Sequence, residues 1–265
     1  MIPKKIHYCW VGGKPLPESA KKCIRSWRKY CPDYEIIEWN EKNYDFTSVP
    51  YMKEAYEAKK WGFVPDYARL DIIYTHGGIY LDTDVEIVKS FDPLLSLKGF
   101  AGFQDENLVA LGLGFGAEAG NPVIKTLMES YRDLHFIGPD GAPDLTPSPR
   151  LNTDTLAEKC GLIPEACFQE LGGFSVFPQE YFCPKSFDDG VLRKTKNTFS
   201  IHHFDASWFN DESKKKLLKS WKHKQKRLKK LRRREIFGGF FRRIFGDDRW
   251  ERIKKTILRQ GNGNE

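Results

Sequence analysis

The 265-residue chain has no apolar run approaching the ~20 residues that a membrane-spanning helix requires, and its first residues lack the apolar stretch of a secretory signal. The expectation that follows is a protein kept in the cytosol. Its six cysteines, Cys9, Cys23, Cys31, Cys160, Cys167 and Cys183, form no CxxC pair and fall short of the density of a disulfide scaffold, so they read as reduced packing residues. Internal repeats are absent, and no low-complexity linker precedes residue 213. Acidic residues are scarce only at the carboxyl end, where residues 213–265 carry 20 Lys+Arg against 5 Asp+Glu.

The net charge of +7 is therefore uneven, because residues 1–212 carry 23 Lys+Arg against 31 Asp+Glu. That split argues against a globally basic nucleic-acid binder and for an acidic body with a cationic appendage that meets something anionic. With 40% apolar residues the body can bury a core of its own.

Along the body, Ile6–Val11 reads as a short buried strand that ends in Gly12-Gly13, and Pro17-Glu18 opens a helix through Tyr30. A strand over Tyr34–Asn40 follows. Met52–His76 reads as helical with interruptions at Gly62 and Pro65, and Gly77-Gly78 supplies a stop. Gly78–Val88 then reads as one strand. Further β-like runs cover Phe100–Gln104, Leu108–Ala117, Phe174–Phe177 and Phe199–Phe204, with helices near Pro122–Leu134 and Thr153–Cys160. Alternation of this kind predicts an α/β sheet domain.

The chemistry concentrates between Asp66 and Asp84. Residues three apart on a helix share a face, so Asp66 and Arg69 point together; residues two apart on a strand share a side, so Asp82 and Asp84 do too. Two carboxylates at one strand end repel unless a cation or hydrogen-bond donors lie between them. Hard oxygen ligands suit Mg²⁺ or Mn²⁺, whose shell is completed by water and phosphate oxygens, so the implied ligand is a diphosphate. Near the end of the body, His202 and His203 alternate across a strand, and only one of them can join a metal at the Asp pair. Ser207 and Trp208 offer a hydroxyl and an indole N–H to phosphate oxygens. Trp10, where the first strand meets its glycine loop, is placed to stack on a nucleobase or to pack in the core.

These stretches resemble a known family. The opening IPKKIHYCWVGG, then CIRSWRKYCPDYEIIEWN, EAYEAKKWGFVPDYARLDIIYTHGGIYLDTDV and the closing SIHHFDASW are similar to the sugar-binding Asp-x-Asp glycosyltransferases of family 32. That family includes yeast-type α-1,6-mannosyltransferases and bacterial capsular and lipopolysaccharide enzymes. The same motif is similar to the glucosyltransferase domains of clostridial toxins, which act on protein acceptors. The resemblance implies a Rossmann-like GT-A fold over residues 1–212, a nucleotide-sugar donor with a UDP-sugar preferred to GDP-mannose, Mn²⁺ or Mg²⁺, and retention of anomeric configuration. It also implies roles. Trp10 would stack on the base; Asp66 and Arg69 would hold the donor sugar and diphosphate. Asp82 would contact ribose and metal-bound water, and Asp84 would ligate the metal. His202 or His203 would lie near that metal, with Ser207 and Trp208 at the diphosphate. Pro65 departs from the small residue usual before the Asp and suggests that a helix begins there.

Other readings fit less well. A haloacid-dehalogenase phosphatase also places Asp-x-Asp after an apolar strand, but that strand normally opens the domain. Gly112, Gly114 and Gly116 alternate without the GxGxxG spacing of a dinucleotide site. On the acceptor side Asn152, Asp154, Asp105 and Glu106 are candidates only. A nucleic-acid-binding or scaffold protein acting through the basic tail is the non-enzyme alternative. The tail reads instead as amphipathic helices, with Leu217, Leu218, Trp221, Leu228 and Leu231 on one face, Phe240, Phe241, Ile244 and Phe245 repeating the pattern after Gly238-Gly239, and Trp250, Ile253 and Ile257 extending it. The expectation is a peripheral protein on the inner membrane face, held through residues 213–260 and not bound to nucleic acid, with a glycan or lipid-linked acceptor.

Overall fold

The computed structural model describes residues 1–205 and 211–245, which form two units: residues 1–187 with 191–205, and residues 188–190 with 211–245. The first unit is built on a mixed sheet. Strand β1 (Lys5–Cys9) lies between the parallel strands β2 (Glu35–Trp39) and β3 (Gly78–Tyr80). Strand β7 (Phe115–Ala117) runs antiparallel to β3 and to β5 (Gly99–Phe103); β9 (Phe174–Phe177) continues parallel to β5, and β8 (Gln169–Leu171) closes the edge. The short strand β6 (Val109–Ala110) also pairs with β5. This is a mixed α/β arrangement, as the alternation of strands and helices predicted.

Several expected elements are divided. Met52–His76 is two helices, α2 (Pro50–Glu57) and α3 (Pro65–His76), and α3 takes Pro65 in its first turn, where the missing N–H costs nothing. Gly77 caps α3 with φ +61°. Gly78–Val88 is not one strand: β3 ends at Tyr80, the chain turns through Asp82 with Val85 N–H donating to Asp82 O (3.1 Å), and β4 (Val85–Ile87) leaves the main sheet. Leu108–Ala117 is likewise broken, by a 3-10 turn at Leu111–Leu113. β4 pairs antiparallel with β10 (Ser200–His202) in a separate two-stranded sheet.

Helix α1 (Glu18–Tyr30) holds β4 in place, since the buried Trp27 indole donates to Val85 O (2.7 Å) and Ser26 Oγ accepts from Ile87 N–H (2.9 Å). α4 (Pro122–Glu129) and α5 (Ser148–Cys160) pack with α3 on the main core. α6 (Gln179–Phe182) precedes β10. All six cysteines are free; Cys9, Cys23, Cys31 and Cys183 are buried, but Cys167 is exposed and so is not the packing residue expected.

In the second unit α7 (Asp211–Phe245) is one continuous helix, through Gly238-Gly239. Trp221 is buried against Gly190, where a Cβ would meet its ring at 2.5 Å. Lys224 pairs with Asp188, and Gln225 donates to Asp189 O (2.9 Å). Trp221 is thus occupied within its own unit, unlike the exposed Leu218, Leu228, Leu231 and Ile236. Of the tail's second apolar cluster, Trp250, Ile253 and Ile257 lie outside the described residues. Among the described residues no helix is long and apolar enough to cross a membrane.

His7, in the middle of β1, is fully buried. An indole N–H can only donate, so the bond from Trp39 Nε1 to His7 Nδ1 (3.0 Å) puts the ring proton on Nε2, which donates to Gly77 O (3.0 Å). Burial lowers its pKa from 6.5 to about 4. The unfolded chain therefore takes up a proton below pH 6.5 that the folded chain resists until about pH 4. This contribution to stability is present above pH 6.5 and is lost as the pH falls, to a limit of about 3 kcal/mol. Urea unfolding of wild type and His7→Gln from pH 7 to pH 4 should show a shallower pH slope in the variant; parallel slopes would assign the acid sensitivity elsewhere.

Candidate active site

Helix α3 delivers Asp66 and Arg69 on one face, and both are buried. The Arg69 guanidinium lies 3.0 Å from Asp66 Oδ1 and 3.5 Å from Asp82 Oδ1, while its Nε donates to Pro65 O (3.0 Å) and its plane sits 5.2 Å above the Tyr80 ring. Burial pushes the Asp66 carboxyl up to about 6, against the pull of Arg69. Tyr51 O–H donates to Asp66 Oδ2 (3.4 Å), and Ser148 at the start of α5 supports the same carboxyl. Arg69 thus links the helix pair to the first aspartate of the turn after β3.

The second aspartate belongs to the small sheet. Register places His202 opposite Val85, and His202 Nε2 lies 3.1 Å from Asp84 Oδ1. Asp84 O accepts from His203 N–H (3.0 Å) and Asp84 Oδ2 from Asp205 N–H (2.9 Å), so the chain after β10 wraps around this residue. Phe204 makes the wrap in a left-handed conformation, φ +57°, unusual for a bulky side chain. Burial alone would raise the Asp84 carboxyl, but the His202 charge and the surrounding N–H groups overcome it and hold it at about 2. Burial likewise opposes charge on His202, and Asp84 overcomes that to raise it to about 10.

One donor atom each from Asp82, Asp84 and His202 lies within 4.8 Å of the other two, the one such group among the described residues. Two carboxylates and an imidazole form an oxygen-rich donor set that fits Mn²⁺ or Mg²⁺. His203, the other candidate ligand, is outside it: alternation along β10 turns its ring away, and Nε2 pairs with Glu86 Oε2 at 2.9 Å. Trp10 is half-buried at the end of β1, with its indole N–H on Lys14 O. Ser207 and Trp208 lie outside the described residues. On the acceptor side, Asp154 is a surface partner of Arg150 and Asp105 caps a turn through Asn107 and Leu108 N–H, whereas Asn152 is buried and its Oδ1 has no partner among the described residues. Glu106 contributes its backbone carbonyl, to Ala166 N–H (2.9 Å).

Gly112 lies directly against Asp82, a placement that the GxGxxG comparison gave no reason to expect. Its carbonyl accepts from Asp82 N–H (3.0 Å), and a Cβ there would fall 2.0 Å from Asp82 Oδ2. Of the three glycines in LGLGFG, Gly112 lies against a carboxylate, while Gly114 meets Leu81 and Gly116 meets Gly78 O and Phe100.

Residues 17–101 match the family described as "Glycosyltransferase sugar-binding region containing DXD motif". Through this segment the chain is similar to that family. The match contains Asp66, Arg69, Asp82 and Asp84, and leaves Trp10, Gly112 and His202 outside it. Relatives include inositol phosphoceramide mannosyltransferase 3 of Schizosaccharomyces pombe, 34% identical over 36% of this chain and 27% of that protein. Another is mannosyl phosphorylinositol ceramide synthase SUR1 of Saccharomyces cerevisiae, 31% identical over 38% of this chain and 27% of that protein. The chain thus spans about a quarter of the length of these relatives. Among solved structures, the PaToxG glycosyltransferase aligns over 60% of this chain and 70% of its own at 19% identity and a TM-score of 0.45. The galactosyltransferase LgtC, solved with donor and acceptor sugar analogues, aligns over 80% and 94% at 13% identity and a TM-score of 0.39.

Asp82 is part-exposed, so a methyl group at residue 112 displaces the carboxylate rather than the backbone. Gly112→Ala should therefore unfold in urea within about 1 kcal/mol of wild type. Its crystal structure should show Asp82 swung away from Arg69, and an unmoved Asp82 would refute the glycine's role.

Proposed function

We propose that the chain is a metal-dependent glycosyltransferase that moves a hexosyl group, with retention, from a nucleotide sugar to a glycan or lipid-linked acceptor. The observation that carries this reading is the cluster of Asp82, Asp84 and His202 beside a buried arginine. In the proposal Asp82, Asp84 and His202 hold Mn²⁺ or Mg²⁺, and the bound ion neutralises charge on the departing diphosphate. Arg69 adds fixed positive charge in a buried setting, where it is worth more than in water. Asp66 keeps Arg69 oriented. Trp10, with Ser207 and Trp208, completes the proposed donor site at the base and the diphosphate. Retention rests on the family resemblance alone. Relatives named for mannosyl transfer to a phosphoinositol ceramide weigh toward a mannosyl nucleotide and a lipid-linked acceptor, against the UDP-sugar favoured by the motif.

A panel of nucleotide sugars with Mn²⁺ or Mg²⁺ tests the activity. At least one should be hydrolysed or transferred, and chelation or Asp84→Asn should reduce turnover about 100-fold or more. Full activity in Asp84→Asn would overturn the proposal.

The reading also places the protein on a membrane surface, building a surface polysaccharide or lipid-linked glycan at the cytosolic face. What supports this is α7, whose Lys219, Lys226 and Lys230 are exposed at helical spacing with further Lys and Arg around them. Trp221 does not take part, since it is packed on Gly190. Each basic residue near an anionic leaflet contributes on the order of 1 kcal/mol. Reversing Lys219, Lys226 and Lys230 to Glu should weaken binding to phosphatidylserine-containing vesicles on the order of 100-fold. Unchanged sedimentation would exclude α7 as the attachment.

A further inference from the structure

Lys185 stands on a short antiparallel stretch after α6, opposite Leu192. Arg193 N–H donates to Pro184 O (2.8 Å) and Ser186 N–H to Val191 O (3.1 Å), so the backbone on either side of Lys185 is paired. The side chain is part-buried, and its Nζ donates to His203 O (2.5 Å). His203 N–H in turn donates to Asp84 O (3.0 Å). The ammonium therefore reaches the wrap around Asp84 through the backbone of a single residue.

Charge gives that placement a use. Burial lowers the Lys185 pKa, and Asp205 and Asp84 oppose it. Arg69 is already divided between Asp66 and Asp82, and a divalent ion held by Asp82 and Asp84 would be matched by the charges of those two carboxylates. A diphosphate joining that ion would bring further negative charge. Arg69 stands at the Asp82 end of the cluster and Lys185 at the Asp84 end. A lysine meets phosphate as a point charge, and the bond to His203 O leaves that charge in place.

We infer that Lys185 is a second fixed positive charge for the diphosphate of the donor, meeting the leaving group from the Asp84 end as Arg69 meets it from the Asp82 end. The inference rests on the proposed metal and donor site. A cation beside the cluster repels a bare metal ion but attracts a metal–diphosphate complex, whose net charge is negative, so the two probes should respond with opposite sign.

The test titrates the full chain calorimetrically with Mn²⁺ alone and with the preformed one-to-one complex of Mn²⁺ and inorganic pyrophosphate, for wild type, Lys185→Met, Lys185→Gln and Lys185→Arg. Gln keeps a donor for His203 O without the charge, and thermal melting reports the fold of each. Met and Gln should bind the complex about 10-fold or more weakly than wild type, and Arg within about 3-fold of it. Met and Gln should bind Mn²⁺ alone at least as tightly as wild type. Parallel weakening of Mn²⁺ and of the complex, or a Gln variant that binds the complex like wild type, would make Lys185 a structural tie and overturn the inference. Equal affinity for the complex in all four proteins would overturn it too. A wild type that binds Mn²⁺ but not the complex would sink the inference and leave the metal reading standing, and one that binds neither would sink both.

Discussion

Arg69 stands between two carboxylates, one on its own helix and one on the turn after β3, and the arrangement of the site follows from that position. A guanidinium does not lose its proton inside a protein, so burying it obliges the fold to bring acceptors to it. Asp66 is supplied by helical spacing, and Asp82 by the end of β3, which packs between β1 and β7. Removing one partner of such a group typically costs about 3–5 kcal/mol, because the charge left behind stays buried. The arginine is therefore both a charge for chemistry and a tie between α3 and the sheet. The Tyr80 ring beneath it ties the same charge to β3 itself.

Division of the chain after β3 gives the site its second half. Had Gly78–Val88 continued as one strand, Asp82 and Asp84 would have stayed in the plane of the main sheet. Instead the turn sends β4 out to pair with β10, and that pairing carries His202 to Asp84. Trp27 and Ser26 on α1 fix β4 by bonds to its backbone. Strain enters where the chain wraps past the site: Phe204 holds a left-handed conformation that lets Asp205 N–H reach Asp84. Such conformations persist where surrounding contacts over-determine them, and here the ring is buried against His202 and Phe187.

What could be read from the residues depended on how local the interaction is. Asp66 and Arg69 lie three apart on one helix, so periodicity predicted their juxtaposition, whereas Asp82 and Asp84 come together across a turn and not by strand alternation. The break of the strand at Asp82 was not legible, because the apolar pattern of Ile79–Leu81 resumes at Val85 and Ile87 and looks continuous. The choice between His202 and His203 needed the register of β10 on β4, which no local pattern encodes. Gly112 was visible only as a glycine among glycines; its reason is a carboxylate from another part of the chain. The tail's apolar face was not read as partly occupied, since Gly190 gives no sign in the sequence that a tryptophan packs on it.

The two halves of the site consequently differ in what assembles them. The spacing of Asp66 and Arg69 is set within α3, and their burial and remaining partners come from Tyr80, Asp82, Tyr51 and Ser148. The Asp84–His202 half exists only while β10 is paired with β4, and β10 lies near the carboxyl end of the first unit. Two short strands are not stable alone. Their pairing is held by the charge of Asp84 on His202, by Ser200 bonded to Leu113 O, and by Trp27 behind β4. A divalent ion bound by Asp82, Asp84 and His202 would join the main sheet to the small one, so occupancy of the site and closure of this part of the fold would be coupled.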